Sequence, residues 1–219
     1  MASCFFRQNT PRAFFGRYKV ERHDIEDRSR LIINSIMSDK TIAHFCSLIK
    51  NYRPCVAEHC YNVAFITGQV CTVLDLKHSL KKEIVTGALL HDIGKIKIPH
   101  EILDKPSLLT AEEFDIVKKH PQQGLDIINE YHPLSEVVSD IVLHHHEIED
   151  GSGYPHGIKS MTLGTQIVSI VDKYDAITEK RVYADAVDKF DTYIELQAYK
   201  DRYGYFDEII KALYSCRGN

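Results

Sequence analysis

Apolar residues recur at three- and four-residue intervals along most of this chain, and the two-residue alternation of half-buried strands is scarce. Ile25, Leu31, Ile32 and Ile36, followed by Ile42, Phe45 and Leu48, predict two helices across residues 24–49, broken near Ser38-Asp39. Pro54 opens the next predicted helix, which runs to about Leu76 on the stripe Val63, Ile66, Val70 and Val73. A helix over 80–92 stops at Gly94. Thr110-Ala-Glu-Glu113 reads as a capping box before a short helix that His120-Pro121 ends, and another short helix follows over 124–129. Leu134, Val137, Val138, Ile141 and Val142 predict a helix whose core face continues at His145. After a loop over 150–157, residues 165–178 are helical, with Asp172 embedded among Ile167, Val168, Val171 and Tyr174. Two helical stretches, about 183–199 and 207–214, finish the chain. The expected class is all-α.

Composition changes this picture little. Residues 1–20 are basic and aromatic without period, so an irregular or docked extension is expected there. Twenty-seven basic against 31 acidic residues give a net charge of −4, which argues against a DNA or RNA duplex or an anionic membrane as partner. The longest uncharged stretch of interest, 61–74, is shorter than the roughly 18–20 residues a spanning helix needs. The six cysteines form no C-x-x-C pair, and no signal-peptide core interrupts the reading, so a cytoplasmic protein with buried or surface thiols is expected.

The chemistry lies in histidines and aspartates at the ends or on the inward faces of these helices. His91-Asp92 closes an apolar helix, and an aspartate has two oxygens that can bridge two cations about 3.5–4 Å apart. The adjacent imidazole suits Fe, Mn, Zn or Co better than Mg or Ca. His59 lies four residues before Val63 on an inward stripe, and Asp172 interrupts Ile-Val-Ser-Ile-Val, where a buried carboxylate without a counter-charge would be costly. In the run His144-His145-His146 successive side chains point about 100° apart, so at most two share a site. Spacing favours His145 with one neighbour and does not choose between His144 and His146.

The chain resembles the HD superfamily of metal-dependent phosphohydrolases, in particular its HD-GYP branch. The segment His145-His146-Glu147-Ile-Glu-Asp150-Gly151-Ser-Gly153-Tyr154-Pro155-His-Gly157 matches every fixed position of that branch's second signature. His91-Asp92-Ile-Gly94-Lys95, Ile98-Pro99, Lys105-Pro106, Leu109-Thr110 and His120-Pro121 match the stretch before it. The resemblance covers about residue 40 to the C-terminus. It implies an HD-domain helical bundle with a metal centre in its core over residues 41–219, preceded by an N-terminal helical extension over 1–40.

Carried over residue by residue, the resemblance makes His59, His91, Asp92, His120, His145, His146 and Asp172 metal ligands, with Asp92 bridging and His144 flanking. It puts Lys95 near the scissile phosphate, Tyr154 and Arg181 on the substrate, and Asp175 behind the ligands. Some members hold a third metal through a glutamate four residues before the first histidine. Cys55 stands there, so two divalent transition-metal ions are implied, Fe or Mn foremost. A second basic residue that often follows the arginine by three positions is replaced by Ala184. The implied activity is hydrolysis of cyclic di-GMP to linear pGpG and onward to GMP by a metal-bridged hydroxide. The alternatives are hydrolysis of another cyclic dinucleotide or nucleotide, a di-iron oxygenase, and a weakly active or inactive cyclic-dinucleotide receptor. Whether the chain forms a homodimer stays open.

Overall fold

The computed structural model describes residues 21–182 and 189–217. These form α1 (Arg22–Met37), α2 (Lys40–Tyr52), α3 (Pro54–Val73), α4 (His78–Leu90), α5 (His100–Leu103), α6 (Ala111–Val117), α7 (His120–Tyr131), α8 (Glu136–His144), α9 (Leu163–Val182), α10 (Lys189–Gln197) and α11 (Phe206–Arg217). A 3-10 turn, Ile93–Lys97, follows α4, and another spans Lys200–Arg202. No strand occurs among the described residues, so the all-α expectation holds.

The predicted break between the first two helices falls where Asp39 caps α2, its carboxylate accepting from the backbone N–H groups of Thr41 and Ile42. Thr110 and Glu113 form both bonds of the expected capping box at α6. One boundary differs. His120-Pro121 does not end a helix; it opens α7, which continues unbroken to Tyr131. A proline in the first turn has no hydrogen bond to lose and a φ already suited to the helix, so it starts helices as readily as it stops them.

The middle of the bundle is α3, which packs against α1, α2, α4, α9 and α11. Its buried residues, among them Cys60, Val63, Ala64, Ile66, Val70 and Cys71, occupy more than one face, as a helix surrounded by others requires. Within the segment 1–40, residues 1–20 lie outside the described residues. Helix α1 buries Ile25, Ile32, Ile33 and Ile36, each roughly 2–3 kcal/mol of gross apolar burial. Its Ile32, Ile33 and Ile36 join the same core as α3 and α4.

Two close approaches fix the parts that carry the site. The 3-10 turn after α4 lies so near α7 that a Cβ on Gly94 would sit 1.9 Å from the His120 carbonyl oxygen. No side chain fits there, which accounts for glycine after His91-Asp92-Ile. The second is in the 150–157 loop, where a Cβ on Gly153 would stand 2.4 Å from Glu147 Cα. The loop is then folded around Glu147. That fully buried carboxylate accepts from the backbone N–H groups of His156, Gly157 and Ile158, at 2.6, 3.1 and 3.2 Å. From outside, Arg202 donates to Asp150 Oδ2 at 2.8 Å and to Ser152 Oγ at 2.6 Å, while Gly204 N–H donates to Glu149 at 2.7 Å.

Candidate metal centre

Helix ends converge beside α3. The C-terminus of α4 delivers His91 and Asp92, the start of α7 delivers His120, and the C-terminus of α8 delivers His145 and His146. His59 comes from the first half of α3, and Asp172 and Asp175 from α9. The last carbonyls of a helix have no intrahelical partner, and the histidines use this supply. His91 Nδ1 donates to Ala88 O at 2.8 Å, His120 Nδ1 to Val117 O at 2.7 Å, and His145 Nδ1 to Val142 O at 3.0 Å. A carbonyl only accepts, so each Nδ1 carries a hydrogen, and in the neutral form that a cation would require each Nε2 would present a lone pair inward.

Asp92 lies between two groups of such nitrogens. Its Oδ1 is 3.3 Å from His120 Nε2 and 3.9 Å from His145 Nε2. Its Oδ2 is 3.4 Å from His91 Nε2 and 3.8 Å from His59 Nε2. On the first side Asp92, His120, His145 and His146 each offer one ligand atom, and those atoms all lie within 4.8 Å of one another; on the second side His59, His91 and Asp172 do the same. All seven residues expected as ligands are therefore brought together, in two groups that meet at one carboxylate.

The arrangement fits cations. His120 Nε2 and His145 Nε2 are 3.2 Å apart, two imidazole nitrogens crowded into one small space. His91 Nε2 and Asp92 Oδ1 are buried with no hydrogen-bond partner. Unpartnered buried polar atoms cost about 1–3 kcal/mol each, and a positive ion held between this nitrogen and this oxygen would remove the cost. The donor set, imidazole with carboxylate, is that of a first-row divalent transition metal.

The same crowding sets the ionisation. Burial would raise the Asp92 carboxyl, but the Lys95 ammonium, 2.5 Å from Oδ2, together with His91 holds it well below the usual carboxylate range. Burial would also raise Asp172; its hydrogen bond to His59 overrides this and keeps it ionised. Burial first, then neighbouring histidines, push His145 and His146 well down, so both are neutral and ready to donate lone pairs. His59 differs. Its Nδ1 is 2.8 Å from Asp175 and its Nε2 3.0 Å from Asp172, and against the effect of burial these carboxylates raise it to about 10.

The remaining expected residues fall as follows. Tyr154 is half-buried and stacks on His146, with ring centroids 4.7 Å apart. Burial pushes its phenol above the ordinary tyrosine range. His144 turns away to Asp140 Oδ1 at 2.7 Å, while His146 stands with Asp92, His120 and His145. Arg181 lies near the end of α9, nine residues after Asp172; its side chain, like the whole of Ala184, is outside the described residues. Cys55 is exposed and belongs to neither group.

A model described as HD domain matches residues 44–209 of the sequence. The chain belongs to the HD-domain family. Its signature from His145 to Gly157 puts it in the HD-GYP branch of that family. This HD-domain chain is 43% identical over 112 residues to a cyclic di-GMP phosphodiesterase of Pseudomonas aeruginosa, covering 50% of this chain and 27% of that protein. It is 36% identical over 146 residues to a cyclic di-GMP phosphodiesterase of Thermotoga maritima, covering 65% of this chain and 40% of that protein. The chain thus spans well under half the length of either relative. In fold it is similar to the HD domain of the phosphodiesterase PgpH of L. monocytogenes, solved in complex with cyclic-di-AMP. The TM-score is 0.61 at 18% identity, over 78% of this chain and 92% of that one. Among the described residues no helix is long and apolar enough to cross a membrane.

Two residues of this HD domain escaped the sequence reading. Cys60, read with the other cysteines as a bland thiol, forms a third buried group with His91 and Asp92. The available signal was its place beside His59 on a helix apolar on several faces. Glu147 was read only as part of a motif; its three backbone acceptor bonds make it the organiser of the loop that carries Tyr154.

Ion loading of this HD domain should be coupled to protons. A cation reaching His59 Nε2 displaces the proton that Asp172 and Asp175 keep there up to about pH 10. Affinity for Mn²⁺ should therefore rise by at least about tenfold per pH unit across about pH 6–8, because His91 is raised as well. Calorimetry in buffers of unlike ionisation enthalpy should record proton release. A pH-independent affinity with no proton release would remove His59 from the ligand set.

Proposed function

We propose that this chain is a cytoplasmic, metal-dependent phosphodiesterase that hydrolyses cyclic di-GMP to linear pGpG and onward to GMP, using two divalent ions, iron or manganese. The observation that carries the reading is Asp92, whose two oxygens face separate groups of histidine nitrogens. The names of two relatives, both cyclic di-GMP phosphodiesterases, support the substrate.

In this reading His59, His91 and Asp172 would hold one ion and His120, His145 and His146 the other, with Asp92 available to both. Bound there, such ions would lower the pKa of water towards neutrality and neutralise charge on a phosphodiester. Water adds to phosphorus, the P–O3′ bond breaks, and the products carry a 5′-phosphate and a 3′-hydroxyl. The residues supply positioning. The carbonyls of Ala88, Val117 and Val142 keep three imidazole rings from rotating, so no reorganisation is needed as charge develops. Lys95, fixed by Asp92 and partly open to solvent, reaches the non-bridging phosphate oxygens. Tyr154, held against His146, flanks the nucleotide, and Arg181 meets its phosphate.

The test is anaerobic incubation of Fe- or Mn-loaded protein with cyclic di-GMP, products being separated by chromatography. The expected result is linear pGpG, with GMP at longer times. No product from protein of normal metal content rejects the phosphodiesterase reading.

A further inference from the structure

A cavity of about 580 Å³ opens beside the site, between Lys118, Lys119, Gln122 and Gln123 on one wall and the Gly153–Pro155 turn on the other. It shares Tyr154 with the metal centre. It also abuts that centre along the chain, because His120 stands between Lys119 and Gln122. Its size is that of ordinary small-ligand pockets.

Its lining carries unspent hydrogen-bonding capacity. Gln123 Oε1 is buried and has no partner. Gln122 Nε2 donates to Asp126 Oδ1 at 2.8 Å, which fixes that carboxamide. Lys118 is paired with Asp115 at 2.5 Å, whereas Lys119 has no acidic partner among the described residues. The wall thus offers an orphaned acceptor and an uncommitted cation within one turn of each other, with an aromatic ring opposite.

We propose that this cavity is a guanine subsite, taking the base of the nucleotide not being cut, with Gln123 and Lys119 setting the preference for guanine. The inference rests on the cyclic di-GMP reading. Guanine presents N1–H and N2–H₂ donors to the Gln123 oxygen, and O6 and N7 acceptors to Lys119. Adenine has an acceptor at N1 and a donor at N6, so it would meet the glutamine oxygen with a lone pair and the ammonium with an amino group. The buried carboxamide oxygen costs about 1–3 kcal/mol while unpartnered, and a guanine N–H removes that cost where an adenine N1 would add to it.

The experiment is calorimetric titration of the metal-loaded protein with GMP and with AMP, for wild type, Gln123→Ala and Lys119→Ala. The two nucleotides bring the same phosphate to the ions, so their difference reports the base. GMP is expected to bind wild type at least about tenfold more tightly than AMP. Each substitution should weaken GMP by about fivefold or more, and Gln123→Ala should narrow the gap to AMP. Equal binding of GMP and AMP, or GMP binding unaltered by both substitutions, overturns the subsite. Failure to hydrolyse cyclic di-GMP would count against the phosphodiesterase reading alone, since the titration needs no turnover.

Discussion

Asp92→Ala is expected to reduce turnover of cyclic di-GMP by at least about 10³-fold, since loss of a single preorganised electrostatic group already costs about 10²–10³. Asp92 is the one residue that both ligand groups share, so its removal opens both at once. The bound metal per chain should fall in the same preparation, measured by elemental analysis. The fold should survive: Lys95 loses its partner but is partly exposed and can be solvated. Far-ultraviolet circular dichroism of the variant should therefore match wild type. Retention of a tenth or more of the activity would mean that the carboxylate does not join the two groups.

Glu147→Ala should do the opposite, damaging stability first. The substitution strands three backbone N–H groups, of His156, Gly157 and Ile158, that now donate to one buried carboxylate. Bonds to charged acceptors contribute about 1.5–3 kcal/mol each. Because this part of the loop is half-buried and water can reach some of those groups, the expected loss is about 3–5 kcal/mol. Urea unfolding would show it as a lower midpoint. Glu147→Gln should lie between, since its amide nitrogen would face a backbone donor. A midpoint within error of wild type for Glu147→Ala would show that the loop does not depend on this carboxylate.

The helices were largely legible because their cause is local. Asp39, the Thr110–Glu113 box and the 3.6-residue stripes act within a turn or two of where they stand in the sequence. Pro121 was misread because a proline serves either end of a helix, and which one depends on the chain's direction there. The seven ligand-type residues were visible as residue types on inward faces, but their assignment came from resemblance, since spacing could not choose between His144 and His146. In the structure Asp140, one turn back, pairs with His144, and His146 stands with Asp92, His120 and His145. Cys60 and Glu147 were illegible for a different reason. Their roles consist of contacts with His91 and Asp92, about thirty residues on, and with a loop whose path depends on Gly153 lying against Glu147.

The way the histidine rings are held bears on how this site tolerates change. His91, His120 and His145 are oriented by main-chain oxygens of Ala88, Val117 and Val142. Substituting any of those three residues alters a side chain and leaves the carbonyl in place, so sequence drift has no direct way to delete these supports. His59 is oriented instead by the Asp175 side chain, which one codon change can remove. The centre therefore presents an uneven mutational target: three of its rings are anchored by atoms common to all amino acids, and one by an atom that must be encoded.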